Sequence, residues 1–472
     1  MDALLKTARE RAERGDVDGA IAACAEANAA APSSVEPITT ALQILDRTDT
    51  GARLVAWADK GLALKPAEGF YLATKAYGHE LLGAFDAALV YWRRATTIYG
   101  APHAFALQMG RCLIDAGDLF GAAGVLSEAI ADGAPNRAML ERTLGEAKLK
   151  GCDISGFPLF QARDRSDGAS FVLPTLPTWR GEPLEGRTLL ITHHLGFGDQ
   201  MMLAPMAGLL ARRAGRVIMT CDRELKALLA ASMPSVEVVA MPRPTQTEAP
   251  APAALTALVN ARAPDLHASL LGACAHLGLD EVSEASNAVR LVAPPAAAER
   301  ARARLENLRR RWPGRRLIGL AFDCVQHRSP GLNPVVRANA ARRSVPAGAI
   351  ARLAESLADH CHFVLLHPDE HLAAIGPAPA NTSALAGGLA DFAETAGAIE
   401  ALDGVLTVDS SVANLAGKLG GPTWVMLNAA GEWRWGAAGA TTNWFPTLRL
   451  LRQRIPGDWD GVIAQAAAAL GG

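Results

Sequence analysis

The chain has 472 residues, with 46 Lys and Arg against 48 Asp and Glu, and is 50% hydrophobic but only 5% aromatic; at about 150 residues per domain, that is room for roughly three domains. A formal charge of −2 gives no global cationic field, which excludes binding to nucleic acid or anionic lipid through bulk charge, and so large an apolar share excludes wholesale disorder. The seven cysteines, at positions 24, 112, 152, 221, 274, 324 and 361, never fall as C-x-x-C, so neither a disulfide framework nor a zinc ribbon is expected and a reducing compartment fits. Residues 1–15 are charged and carry no apolar core of a signal peptide. No apolar run reaches the ~18 residues that a membrane span needs. The expectation is a cytoplasmic protein with no integral membrane segment.

The first feature along the chain is an internal repeat. Gly15, Val17, Ala20, Cys24, Ala27 and Pro32 return 68 residues later as Gly83, Phe85, Ala88, Trp92, Ala95 and Gly100, and 34 residues further on as Gly117, Leu119, Ala122, Leu126, Ala129 and Ala134. The intermediate register keeps Leu54, Ala58, Gly61 and Pro66. From Glu80 to Ile98 a Gly-containing turn precedes apolar residues at helical spacing. The competing reading is a plain alanine-rich bundle, but compositional bias alone does not hold register across three copies. A 34-residue step with small residues at fixed points resembles the tetratricopeptide repeat, a helical hairpin in which Gly or Ala lets two helices approach closely. A tetratricopeptide-repeat solenoid is therefore expected over residues 1–150, and such a solenoid presents a surface that holds a peptide or protein.

A Gly-, Pro- and Asp-rich stretch, 151–185, reads as a linker. Behind it, strand-length apolar runs alternate with helices: 187–192, a helix over 200–213, then 215–220, a helix over 224–232, and a strand over 236–241. A charged helix over 296–311 leads into a second set, with strands at 317–321, 361–366, 404–408 and 423–427 and helices over 349–357 and 412–419. The terminal helix, 459–470, is expected to fold back across the first of these units. Alternation at this spacing predicts βαβ units and parallel sheets, arranged as two Rossmann-like domains over 186–295 and 296–472. The ligand then belongs at the carboxyl ends of the strands.

Four segments carry chemistry. His193, His194, Leu195, Gly196, Phe197, Gly198 and Asp199 lie between a strand and a helix, where glycines permit close backbone approach. A dinucleotide fingerprint would need a third glycine where Met201 stands, although Asp222 is placed like a ribose-binding acid. Asp409, Ser410, Ser411 and Asn414 open a helix at a strand end, a pattern suited to an anion as well as to an ordinary N-cap. The basic loop Arg337–Arg343 offers guanidinium forks that match phosphate oxygens. Glu432, Trp433, Arg434 and Trp435, with Trp444 and Phe445, form either a stacking surface or packed core. His360, His362 and the 367–371 segment give at most a weak metal site, since no further ligands are evident.

The strings from Asp391 to Val425, Glu432 to Trp435, Trp444 to Leu450 and Gly457 to Asp460, together with the Leu195–Asp199 turn and the Arg343–Pro346 segment, are similar to bacterial tetratricopeptide-repeat glycosyltransferases related to the lipopolysaccharide heptosyltransferases. The resemblance implies a GT-B architecture, with two facing Rossmann-like domains, a nucleotide-sugar donor as substrate held mainly by the C-terminal one, no further cofactor and no obligatory metal. It implies Asp199 as the base, with His194 and His193 as the alternatives, and Arg342 or Arg343 on the donor phosphates beside Asp409, Ser410 and Ser411. Asn414 stands where relatives usually carry His, and Glu432 and Trp433 fall on the donor side. The layout also resembles O-linked N-acetylglucosamine transferase and flagellin-modifying transferases, which implies a protein acceptor, such as flagellin, delivered by the repeats. The rival expectations are a lipopolysaccharide-type sugar acceptor, and a repeat scaffold with a degenerate transferase domain.

Overall fold

The computed structural model describes residues 1–46, 51–166, 173, 176–243, 253–324, 340–368, 372, 381–385 and 387–471. Two compact units are distinguished, one built on Met1–Thr143 and the other on Leu144–Val325 with Arg342–Gly472. The division falls inside the helix Arg137–Lys150.

The first unit is a run of helical hairpins: Asp2–Glu13 with Val17–Ala30, Glu36–Leu45 with Gly51–Leu64, Gly69–Leu81 with Phe85–Tyr99, and Ala106–Ala116 with Leu119–Ala131. Gly15, Gly83 and Gly117, the recurring turn glycines, have φ of +82°, +71° and +86°, a left-handed conformation in which a Cβ is strained. The next helix is then capped by Asp16 or Asp118, whose carboxylates accept from the backbone N–H of Gly19 at 2.9 Å and Gly121 at 2.8 Å. The recurring alanines, Ala20, Ala88 and Ala122 with Ala27, Ala95 and Ala129, are fully buried. Gly61 of the weak register lies under Tyr71, where an added methyl would stand 2.7 Å from the ring. The repeat is thus a packing code: small residues recur where two helix backbones close on each other.

The second unit holds two wholly parallel sheets. In the first, β1 (Thr188–Thr192), β2 (Arg216–Cys221), β3 (Val236–Ala240) and β4 (Leu266–Ser269) lie in the order β3-β2-β1-β4. In the second, β5 (Arg316–Ala321), β6 (Cys361–Leu365), β7 (Thr382–Ala384), β8 (Gly404–Val408), β9 (Thr423–Leu427) and β10 (Leu448–Arg452) lie in the order β10-β9-β8-β5-β6-β7. Strands covered on both faces need continuous apolar runs, and every residue of β8 is buried. One hydrophobic cluster joins the sheets, holding Leu189 and Val217 of the first together with Leu317, Val405 and Val425 of the second.

Three sequence expectations change. The helix foreseen over 200–213 starts earlier, at Phe197, and breaks into Phe197–Leu203 and Pro205–Leu210, because Pro205 has no N–H to continue the ladder. Described residues of the stretch foreseen as a linker pack into the second unit: Phe157 and Phe160 are core residues, and Trp179 donates its backbone N–H to the His267 carbonyl at 2.8 Å. The terminal helix, Trp459–Gly471, does not cross the first sheet. Its Trp459, Val462 and Ala466 join Ile318, Leu406 and Met426 on one face of the second. No helix among the described residues is long and apolar enough to cross a membrane.

Candidate functional site

In each sheet the strand order reverses beside the first strand of its set: between β1 and β4, and between β5 and β8. At such a reversal the loops leaving neighbouring strands part to opposite sides, and a crevice opens at the carboxyl ends. The His193–Asp199 segment leaves β1, and Asp409–Asn414 leaves β8. Both chemistry-bearing segments therefore stand at reversal points. They also meet: a methyl built on Gly198 would lie 2.8 Å from Asn414 Nδ2 and 3.8 Å from Ser411 Cα.

Beyond β1 the polar groups are buried and densely bonded. His193 is 1% exposed; its Nδ1 lies 2.7 Å from Thr220 Oγ1 and its Nε2 3.6 Å from Asp222 Oδ1. Asp222 also accepts from Gln200 Nε2 at 2.7 Å and pairs with Arg243 at 2.8 Å. Burial pushes its carboxyl up, yet the His193 ring, the Arg243 charge and the Gln200 amide together hold it below the ordinary carboxylate range. Those partners occupy both oxygens of Asp222, the position that the sequence places like a ribose-binding acid. His194 Nε2 stands 2.9 Å from Asp164 Oδ1, and Asp164 Oδ2 accepts from Ser269 Oγ at the end of β4. His267, on β4, meets Thr192 Oγ1 at 2.9 Å. Burial lowers its ring to about 4 against the pull of Asp164, so it is neutral near pH 7.

Asp199 lies in the first turn of the helix Phe197–Leu203. Its Oδ1 accepts from Arg434 and its Oδ2 lies 3.4 Å from Arg163 Nη1. Both oxygens face guanidinium groups. A chain of ion pairs continues from there: Arg434 Nη1 donates to Glu432 Oε2 at 2.7 Å, Glu432 Oε1 accepts from Arg343 Nη1 at 3.1 Å, and the same Nη1 is 3.7 Å from Asp409 Oδ2. Asp409 is 1% exposed. Burial pushes its carboxyl up to about 6, and Glu432 adds to this, while Arg343, Arg434 and Trp435 oppose it. Arg343 and Arg434 are held firmly charged: burial works against their charge, but Asp409, Glu432 and, for Arg434, Asp199 outweigh it.

Ser410 takes the N-cap position of the helix Ser411–Leu419 but makes no capping bond with its side chain; its Oγ sits 3.2 Å from Thr407 Oγ1. Asn414 is buried and donates from Nδ2 to the Ser410 carbonyl at 3.0 Å. Arg342 is exposed, and Arg337 lies outside the described residues. The tryptophans resolve to core: Trp433, Trp435 and Trp444 are 4%, 0% and 1% exposed, and Trp433 packs edge-on against Phe157, Phe160 and Trp444. No open ring face is left on Trp433 for a base to stack on. His362 spends its Nε2 on Ser383 Oγ at 2.8 Å and stacks on Trp312. Among the described residues no three His, Cys, Asp or Glu side chains are grouped to hold a metal.

Sequence reasoning missed two participants, Arg163 and Asp164, hidden in the supposed linker, and it took Arg434 only as part of a tryptophan-rich segment, without its ion-pairing role. The one available signal was charge inside apolar surroundings, since Arg434 is a guanidinium flanked by Trp433 and Trp435.

No protein-family model matches the sequence, and no curated protein sequence does. Among solved structures the chain is similar to a glycosyl transferase of family 9 from Veillonella parvula, at 11% identity over 62% of this chain and 98% of that one, with a TM-score of 0.42. It is similar to YrrB, a TPR protein with an unusual peptide-binding site, at 16% identity over 34% of this chain and 84% of that one, with a TM-score of 0.29. It is also similar to a mutant O-GlcNAc transferase from Thermobaculum terrenum, at 14% identity over 100% of this chain and 89% of that one, with a TM-score of 0.31. The solved structures that the chain resembles thus include tetratricopeptide-repeat proteins and glycosyltransferases.

Proposed function

We propose that the second unit is a glycosyltransferase of GT-B architecture, moving a sugar from a nucleotide-sugar donor to a hydroxyl group of a protein acceptor that the repeats bind, with a cytoplasmic flagellin as the working acceptor. The observation that carries this reading is the contact of Gly198 with Asn414, which brings together the reversal points of two parallel sheets. Breaking a sugar–phosphate bond leaves negative charge on the departing phosphate. Arg343 and the backbone amides at the start of the helix Ser411–Leu419 are the groups that would stabilise it, each such preorganised contact being worth about 3 kcal/mol.

The acceptor hydroxyl must lose a proton to a group within hydrogen-bond reach. Asp199 faces two guanidinium groups, so a hydroxyl would have to displace one of them. His194 Nε2 stands 2.9 Å from a carboxylate oxygen of Asp164, a side chain that Ser269 fixes in turn, the pairing of imidazole and carboxylate that a proton-accepting histidine uses. His194 is therefore the preferred base, with Asp199 second.

The test is to incubate the protein with UDP-, GDP-, ADP- and CMP-sugars, with and without flagellin, while following nucleotide release and the intact mass of the acceptor. Acceptor-dependent release with a matching mass increment is expected. Transfer to a lipopolysaccharide core would replace the protein acceptor by a sugar one. One observation favours a scaffold reading instead: Arg343 and Arg434 both face carboxylates of the chain itself. Absence of any donor binding or turnover would favour that reading.

A further inference from the structure

Arg163, Asp199, Arg434, Glu432, Arg343 and Asp409 form an alternating chain of three guanidinium groups and three carboxylates. Within it Glu432 differs from the rest. Its side chain is 40% exposed, whereas Arg434 and Arg343, which it bridges, are 6% and 18% exposed. The Nε atoms of both arginines are buried with no acceptor from the protein. Asp409, next along, has both carboxylate oxygens buried without a hydrogen bond. Two guanidinium groups, one buried and one mostly so, each with a buried Nε that lacks a partner and held together by one solvent-reachable carboxylate, have the composition of an oxyanion seat with an internal anion in it.

We propose that Glu432 is a removable stand-in for a phosphate: its carboxylate occupies the seat between Arg343 and Arg434, and a phosphate-bearing ligand binds by displacing it. A phosphate entering with Glu432 still in place would meet two carboxylates, Glu432 and Asp409, at close range, and like charges so placed repel strongly. With Glu432 turned toward solvent, the phosphate inherits both forks and lies by the helix start at Ser411, and the buried arginines are never left unpaired. The device keeps the guanidinium groups compensated in the empty protein, where an unpartnered buried charge would be costly. The proposal rests on the donor reading only for the identity of the ligand, a nucleoside diphosphate; the seat itself requires only an oxyanion.

The experiment is calorimetric titration of inorganic pyrophosphate, and separately of nucleoside diphosphates, into the intact wild-type, Glu432→Gln and Glu432→Asp proteins. Glu432→Gln is expected to bind pyrophosphate about tenfold tighter, the order expected for removing one like charge beside a partly buried anion. Glu432→Asp, which keeps the charge on a shorter arm, is expected to fall between, and adding Arg343→Gln to Glu432→Gln should cancel the gain. Unchanged or weaker pyrophosphate binding by Glu432→Gln, or no binding by any of the three proteins, overturns the seat. Should Glu432→Gln not fold, Glu432→Asp decides alone by the same criterion. A tightened pyrophosphate site at which nucleoside diphosphates bind no better leaves the seat standing and counts against the transferase reading.

Discussion

Gly198 and Asn414 touch across the two sheets of the second unit: the space a Cβ would take on Gly198 ends 2.8 Å from Asn414 Nδ2, which is held in place by the Ser410 carbonyl. Neither side can yield freely, because Asn414 is buried and spends that amide on its own helix start. Gly198→Ala should therefore lower stability by about 1–3 kcal/mol, the usual cost of overpacking. Gly198→Ala combined with Asn414→Ala should recover most of it. Denaturant unfolding of the two variants and wild type measures this, and a double variant no more stable than the single one would show that the two residues do not compete for the same space.

Much of this arrangement was legible in the sequence, because it depends on local rules. The recurring glycines and alanines marked the repeat, since only small residues fit where helices close on each other. Strands β8 and β9 were foreseen at their observed bounds because both are continuous apolar runs between turn signals. By contrast β4, Leu-His-Ala-Ser, is short and half polar, and β10, Leu-Arg-Leu-Leu-Arg, carries charge at the two positions that are not buried. Neither stands out by periodicity, and each is a strand because a neighbour supplies its hydrogen bonds. The site divides in the same way. Motif positions such as Asp409 and Arg343 were visible, but the pairing of Asp199 with Arg434, 235 residues away, is a product of the tertiary fold alone.

The repeat positions make a prediction of their own. Leu126 is fully buried, and Gly110 of the preceding helix lies so close that a methyl there would stand 2.7 Å from the leucine side chain. Leu126→Ala should cost about 2–5 kcal/mol through lost burial and an unfilled cavity, and Gly110→Ala should also destabilise by overpacking. Thermal or denaturant unfolding followed on the first unit's helical signal should show both losses. Equal stability of Leu126→Ala and wild type would mean that the hairpins are not packed in this register.

Asp409 predicts a pH dependence. Its folded carboxyl is raised to about 6, above the ~3.9 of an unfolded aspartate. Between these values the folded state holds more protons than the unfolded one, so this group's contribution to stability falls as pH rises through the window. Asp409→Asn removes that titration. Relative to wild type, its thermal midpoint should gain between about pH 4 and pH 6 and hold the gain above that. A difference that stays flat from pH 4 to pH 8 would show that the carboxylate is compensated by Arg343 and Arg434 more fully than its burial implies.

The roles of His194 and Asp199 separate by what their loss damages. Asp199 lies against the buried Arg434 and against Arg163, so Asp199→Asn removes one of the two carboxylates, Asp199 and Glu432, that compensate a buried guanidinium, and it should destabilise by less than the about 3–5 kcal/mol that follows loss of a buried charge's sole partner. His194→Gln leaves the guanidinium contacts of Asp199 in place, and a base removed from its hydroxyl typically costs about 10²–10⁴-fold in rate. The expected pattern is a large fall in turnover with a near-native thermal midpoint for His194→Gln, an intermediate fall in turnover for Asp164→Asn through misorientation of the imidazole, and a lowered midpoint for Asp199→Asn. Paired turnover and thermal measurements on the three variants distinguish these outcomes. If Asp199→Asn keeps its midpoint and loses turnover while His194→Gln keeps turnover, the proton goes to the carboxylate, and the Arg434 contact must open each time the acceptor binds.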